Sequence, residues 1–216
     1  MKKILLFFLK AVLIISLPFI VLIRGSIFLH LYFDLNPWLA LVVATIFTST
    51  ILLFYSKLIF KNWLGIKKIP GKLYKFQLVL MVCLVSFYSA YGLVTFSKTN
   101  AKSERQYSEY SDLHPHLRIA LSTVIFLDMK LVVTDLGREK LDYRLMGLPL
   151  KERSMHYKQK SGYIHAVDLR TNNRSELRNF LLRGYFAFMG FRTLRHTGTG
   201  DHLHISVPLR ENPKAI

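Results

Sequence analysis

Apolar positions follow two patterns along this chain. In the first half they form three unbroken runs: Ile4 to Ile23, interrupted only by Lys10, then about Trp38 to Phe60, and about Phe76 to Phe96. Each supplies the roughly 20 apolar residues needed to cross a hydrocarbon core, and Lys10 can snorkel from near its helix end. Lys2 and Lys3 before the first run also suit a secretory signal. That run is longer than a typical h-region, however, and no small-x-small cleavage site follows it, so it reads as an uncleaved span.

Beyond Phe96 the runs stop. Residues 97–112 (SKTNAKSERQYSEYSD) are polar, as a juxtamembrane linker should be. Leu117, Ala120, Leu121, Val124 and Ile125 then recur at helical spacing behind Pro115, which suits a first turn. Leu131-Val132-Val133-Thr134 reads as a short buried strand, followed by a loop rich in Gly, Lys and Arg, and Ala166-Val167-Asp168-Leu169 as a second strand. Asn173 and Glu176 form a capping-box signature ahead of a helix marked by Leu177, Phe180, Leu181, Phe188 and Met189, which Gly190 can end. His202 to Val207 alternates as a final strand. The expectation is an α+β domain, a small mixed sheet with flanking helices, over residues 113–216. It follows a linker (98–112) and an all-α anchor of three spans (1–97; about 4–23, 38–60 and 76–96). Phe186, Phe188 and Phe191 are expected in its core.

Charge sharpens this division. The chain of 216 residues is 51% hydrophobic yet carries a net charge of +17. Residues 1–97 hold ten Lys/Arg and one acid, Asp34, whereas residues 98–216 hold twenty Lys/Arg and twelve acids. Lys57, in the last turn of the second run, and Lys61, Lys67, Lys68, Lys72 and Lys75, between it and the third, form a basic loop, while the first connection has only Arg24 against Asp34. Positive loops stay cytoplasmic. The expected topology is therefore a multi-pass protein of the inner (cytoplasmic) membrane, with a cytoplasmic amino terminus and a periplasmic or extracellular carboxy-terminal domain. Apart from Lys10, and Lys57 at the end of the second, the runs contain no ionisable group of the kind that transporters and proton relays use, which makes them an anchor in contact with lipid and a surface for a membrane-protein partner. The single cysteine, Cys83, excludes an internal disulfide framework. Nucleic-acid binding is not expected, because much of the charge belongs to the lysine loop and no nucleic-acid motif is present.

Three stretches concentrate chemistry: Ser154-Met155-His156, Ala166-Val167-Asp168-Leu169 and Asp201-His202-Leu203-His204. Two imidazoles and a carboxylate, with a fourth position open to water, make a catalytic zinc set. Zinc brings the pKa of its water to about 7, and a neighbouring base must take the proton and pass it to the leaving amine. Asp201, three residues before His204, suits that task. Arg138, just past a strand in Thr134-Asp135-Leu136-Gly137-Arg138, suits a substrate carboxylate or a polarised carbonyl. His114 and His116 beside Pro115 read as capping or solvated groups, and His196 as a loop residue. Lys151, Arg153, Lys158 and Lys160 form a basic run around His156.

In order and spacing these stretches resemble the zinc D-alanyl-D-alanine peptidases, which share a fold with lysostaphin-type enzymes and the hedgehog signalling domain. The family pattern is a T-S-G-x-R-like segment after a strand, then S-x-H-x-x-G-x-A-x-D, then acid-x-x-H or H-x-H. Here these read VTDLGR, SMHYKQKSGYIHAVDL and DHLH, over about residues 110–209. The resemblance implies a Zn2+ cofactor held by His156, Asp168 and His204, and Asp201 as general base. It implies His202 as the accessory histidine that stabilises an oxyanion or shares the base role, Arg138 on the substrate side, and Ser154 at the substrate end, orienting the first ligand. Two departures stand out. Eleven residues separate His156 from Asp168 where the family has six, which leaves His165 as an alternative first ligand, and the T-S-G segment is reduced to Thr134-Asp135-Leu136. The implied function is a membrane-anchored zinc peptidase hydrolysing peptidoglycan stem peptides, as a carboxypeptidase or endopeptidase; the alternative is a zinc-containing binding module without turnover.

Overall fold

The computed structural model describes residues 2–62, 64–66, 69–147, 149–150, 153–198 and 200–208. Lys67, Lys68 and Lys151 of the expected basic clusters lie outside them. The chain divides into two compact units, Met1–Ala90 and Tyr91–Ile216.

The first unit is helical. Helices α1 (Lys2–Phe33), α2 (Pro37–Asn62) and α3 (Gly71–Val94) are long and apolar enough to cross a membrane. Helix α1 runs ten residues past the expected boundary, because Arg24 does not break a helix. It ends where Asp34 takes a left-handed φ of 51°. Asn36 then accepts a hydrogen bond from the Trp38 amide (2.9 Å), with Pro37 in the first turn of α2. Small and polar residues are buried within this unit, namely Ser26, Ala40, Ala44 and Thr48. Without a hydrophobic drive between helices in lipid, close backbone approach at small side chains holds spans together. Ser26 and Ser49 return their hydroxyls to the carbonyls of Ile23 and Thr45, so neither needs water. Cys83 is exposed on α3.

The second unit starts with the last turn of α3. Its helix-end carbonyls find partners in the domain: Tyr110 Oη donates to Gly92 O (2.6 Å) and Arg118 Nη1 to Leu93 O (3.0 Å). Gly92 permits the approach, since a Cβ there would stand 3.2 Å from Ile119 Cα. The expected linker is in fact structured. It contains a 3-10 turn at Lys98–Asn100, helix α4 (Glu104–Ser108) and a second 3-10 turn at Glu109–Asp112, with Asn100, Gln106 and Tyr110 buried. Asn100 Nδ2 donates to the carbonyls of Met129 and Leu131. Polar composition signalled solvent here, whereas these polar groups satisfy buried backbone.

Helix α5 (Pro115–Leu127) starts on its proline, then β1 (Val133–Asp135), α6 (Lys140–Leu145), β2 (Ala166–Arg170), α7 (Glu176–Met189), β3 (Arg192–His196) and β4 (His202–Ser206) complete an α+β unit. The sheet runs β1-β2-β4-β3 and is antiparallel throughout, not mixed. Helix α6 and strand β3 were not anticipated. Helix α7 is capped by Ser175, whose Oγ accepts from the Arg178 amide, and not by Asn173, which adopts a φ of 61°. Gly190 ends it at a φ of 101° as expected.

The larger correction concerns the face of α7. Leu177, Phe180, Leu181 and Phe188 are exposed; Asn179, Leu182, Phe186 and Met189 are buried. The helix carries two apolar stripes, and periodicity does not say which one meets the core. Phe186 and Phe191 pack inside, Phe188 does not. In β2 and β4, Val167, Leu169, Leu203 and Ile205 share one face and are buried, leaving Asp168, Arg170, His202 and His204 on the other.

Candidate metal centre

The site is built on a cross-strand pair. Antiparallel register sets Asp168 of β2 directly opposite His204 of β4, and His204 Nδ1 lies 2.8 Å from Asp168 Oδ1. The third member comes from a loop. His156 reaches the pair with Nε2 3.3 Å from His204 Nδ1 and 3.4 Å from Asp168 Oδ1. Its Nδ1 faces the Leu136 carbonyl at 2.5 Å. A carbonyl only accepts, so Nδ1 bears the proton and the Nε2 lone pair points at the other two groups.

The eleven residues between His156 and Asp168 fold into a small hairpin-like excursion. Gln159 is its centre: its amide nitrogen donates to the carbonyls of Ser154 and Tyr157, its backbone N–H donates to Tyr163 O, and Lys158 bridges to Ile164. The insertion is thus absorbed locally, at little cost to the approach of the ends. His165 does not join the site. Its Nε2 lies 2.9 Å from Ser161 Oγ, and its ring sits 4.8 Å from that of His114, which in turn is 4.9 Å from His116. These three rings are buried, so His114 and His116 are not the solvated groups expected.

Electrostatics reinforce the cluster. Burial works against charge on His156, yet the adjoining Asp168 carboxylate raises its pKa above the ordinary value. Burial likewise opposes ionisation of Asp168, but His156 and His204 hold its carboxyl well below the usual range. Arg138 completes the setting: Nη2 donates to Asp168 Oδ2 (2.9 Å) and Nε to Asp135 Oδ2 (2.5 Å). Its backbone N–H donates to His156 O (3.1 Å), tying the two loops together. The guanidinium is therefore engaged with two carboxylates, and its side chain is only 16% exposed.

The other expected residues divide. Ser154 is buried, accepting from Tyr143 Oη (2.6 Å) and from the His156 amide (3.3 Å), so its hydroxyl positions the His156 loop. His202 stands beside the cluster, with Nε2 3.6 Å from Asp168 Oδ2. Its Nδ1 faces Gly200 O at 2.5 Å, which by the same argument leaves Nε2 with the lone pair. Asp201 is not gathered in. Its carboxylate accepts from Thr171 Oγ1 (2.6 Å) and from Arg195 Nε and Nη2 (3.2 and 2.9 Å), and these contacts lower its pKa, Arg195 most strongly. Residue 201 precedes the strand, and a step of three to His204 reverses the facing direction.

Sequence reasoning missed two contributors. Tyr143 of α6 holds Ser154 and lies under the Arg138 guanidinium (5.5 Å to the ring centre); its signal was the Glu139-x-x-Asp142 spacing, where the Asp142 carboxylate accepts from the Glu139 amide (2.7 Å). His196, read as a loop residue, pairs with His202 across β3 and β4 and stacks on it at 4.8 Å.

The donor set fits a tetrahedral cation. Nitrogen and oxygen ligands at about 2.0–2.1 Å from zinc stand about 3.3 Å from one another. Two of the three edges already have that length, and the 2.8 Å edge is drawn in by its hydrogen bond. Compared with protein-family models, with curated proteins and with solved structures, the chain matches none.

Proposed function

We propose that this chain is a membrane-anchored zinc peptidase that hydrolyses peptide bonds in peptidoglycan stem peptides, with its site on the outer side of the cytoplasmic membrane. The observation that carries the reading is the convergence of His156, Asp168 and His204 from a loop and two strands on one point. Among the described residues they are the one group of this kind. In this reading the three hold zinc, which when bound supplies a Lewis acid and lowers the pKa of water.

The chain's own residues do the rest. His202 Nε2, free to accept, takes the proton of the attacking water and returns it to the leaving amine, so that water adds across the amide as carboxylate and amine. Arg138 keeps Asp168 oriented through its second oxygen, the kind of support on which metal affinity depends. Asp201 keeps the entry to β4 in place through Arg195 and Thr171 and takes no proton. The exposed bases Arg153 and Lys160 near His156 favour a substrate bearing carboxylates, and the lysine-rich second connection favours a domain outside the cytoplasm.

A second reading, a zinc-holding binding module, draws on a specific observation. The two charged groups expected to serve turnover, Asp201 and Arg138, are both committed to internal ion pairs. Digestion of purified muropeptides by the detergent-solubilised protein, followed by mass spectrometry, separates the two. Chelator-sensitive cleavage that is lost in His202→Ala supports the peptidase. Intact substrates with zinc bound would leave the binding module.

A further inference from the structure

We infer that the apolar surface formed by the end of α5 and the outer stripe of α7 lies in the lipid interface of the membrane from which α3 emerges. Six large apolar side chains, Phe126, Leu127, Met129, Leu177, Phe180 and Leu181, are between 59% and 80% exposed. A water-soluble unit rarely leaves such a group uncovered without a binding role.

What covers it follows from where it sits. Helix α3 has 24 residues, about 36 Å, against a hydrocarbon core of about 30 Å, so its last turn reaches the boundary. That turn belongs to the second unit. Phe126 and Met129 line one hollow with Tyr91, Thr95 and Phe96, the residues on which α3 ends and the chain leaves it. The Met129 carbonyl is also held by Asn100. The end of α5 is thereby held beside the residues with which α3 ends.

The surface continues onto α7. Asp128, flanked by Leu127 and Met129, is ion-paired with Arg174 just ahead of α7, and Tyr185 Oη donates to Ala120 O (3.0 Å). The two helices therefore lie side by side in opposite directions, with Leu177 and Leu181 towards the α5 end. Charge agrees with lipid as the occupant. Asp128 is neutralised by Arg174, and Glu176 by Arg195. The exposed Lys130 and Arg178 flank the apolar side chains, suiting anionic headgroups as on interfacial amphipathic helices.

Site-directed spin labelling of the full chain tests this. In a Cys83→Ser background, Leu127→Cys, Leu181→Cys and, as a control, Arg144→Cys are labelled and reconstituted in vesicles of phosphatidylethanolamine and phosphatidylglycerol. All three positions are exposed, and an unchanged melting temperature verifies folding. The ratio of oxygen to nickel-chelate collision rates should be several-fold higher at 127 and 181 than at 144. Nickel preference at either 127 or 181 overturns the inference. So does spin–spin broadening that vanishes on dilution with unlabelled protein, which would assign the face to a second copy of the chain.

Discussion

His204 and Asp201 are three residues apart and have different occupations. His204 sits on β4 opposite Asp168, within reach of His156; Asp201 lies ahead of the strand, tied to Arg195 and Thr171. Their substitutions should separate accordingly. If the trio holds zinc as proposed, His204→Ala removes one of its three ligands and should lower zinc affinity by at least about 100-fold, since even supporting partners are worth about 10–100-fold. Asp201→Asn should keep zinc affinity within a small factor and lower the melting temperature by a few degrees, because it weakens an ion pair that braces β3 against β4. Equilibrium dialysis with metal analysis, run beside thermal unfolding, checks both. A large zinc defect in Asp201→Asn would return that carboxylate to the metal's surroundings. Arg138 follows the same logic: an arginine that resembles a substrate-binding group in sequence is, in the fold, the partner of the Asp168 and Asp135 carboxylates.

Helix α7 shows how an element can be correctly located and wrongly oriented. Its cap and its terminal glycine follow from local chemistry, because Ser175 and Gly190 act on their own neighbours. Its facing does not. Leu182, Phe186 and Met189 make one apolar stripe, and Leu177, Phe180, Leu181 and Phe188 make another; only the first is buried. Phe186→Ala should cost about 3–5 kcal/mol, as emptying a core site does, whereas Phe180→Ala should stay within about 0.5 kcal/mol. Denaturant unfolding of the purified protein measures both, and the reverse order would put the other stripe inward. The segment at 98–112 teaches the same lesson from the polar side. Asn100 and Tyr110 look like linker residues, yet they close off backbone carbonyls of the helix end and of the loop after α5.

The molecule as a whole joins a unit of three helices long and apolar enough to cross a membrane to an α+β unit that begins in the last turn of α3. Three crossings from a cytoplasmic amino terminus would put the metal cluster outside, and the lysines between α2 and α3 supply the reason. Protease added to intact spheroplasts expressing the chain should then degrade the second unit, and protease added to inverted membrane vesicles should spare it. The opposite pattern would place the cluster in the cytoplasm and remove peptidoglycan as a substrate. Either result leaves the geometry of the cluster intact, so the substrate and the metal chemistry can fail separately.

Short-range physics was written plainly in the order of residues. Runs of apolar side chains longer than a bilayer is thick announced α1, α2 and α3; Pro115 and Gly190 marked helix ends; the short stretch Ala166-Val167-Asp168-Leu169 marked β2, and alternation marked β4. The trio His156, Asp168 and His204 could also be named in advance, but only through the resemblance of SMHYKQKSGYIHAVDL and DHLH to a zinc-peptidase pattern, because a loop and two strands carry it and no periodicity relates them. Folding alone settled the antiparallel pairing of the sheet, the stripe of α7 that turned inward, and the capture of Asp201 and Arg138 by Arg195, Asp135 and Asp168. Each of these depends on which groups meet across the fold. Arg138 and Asp168, for example, are 30 residues apart, and no local periodicity encodes that meeting.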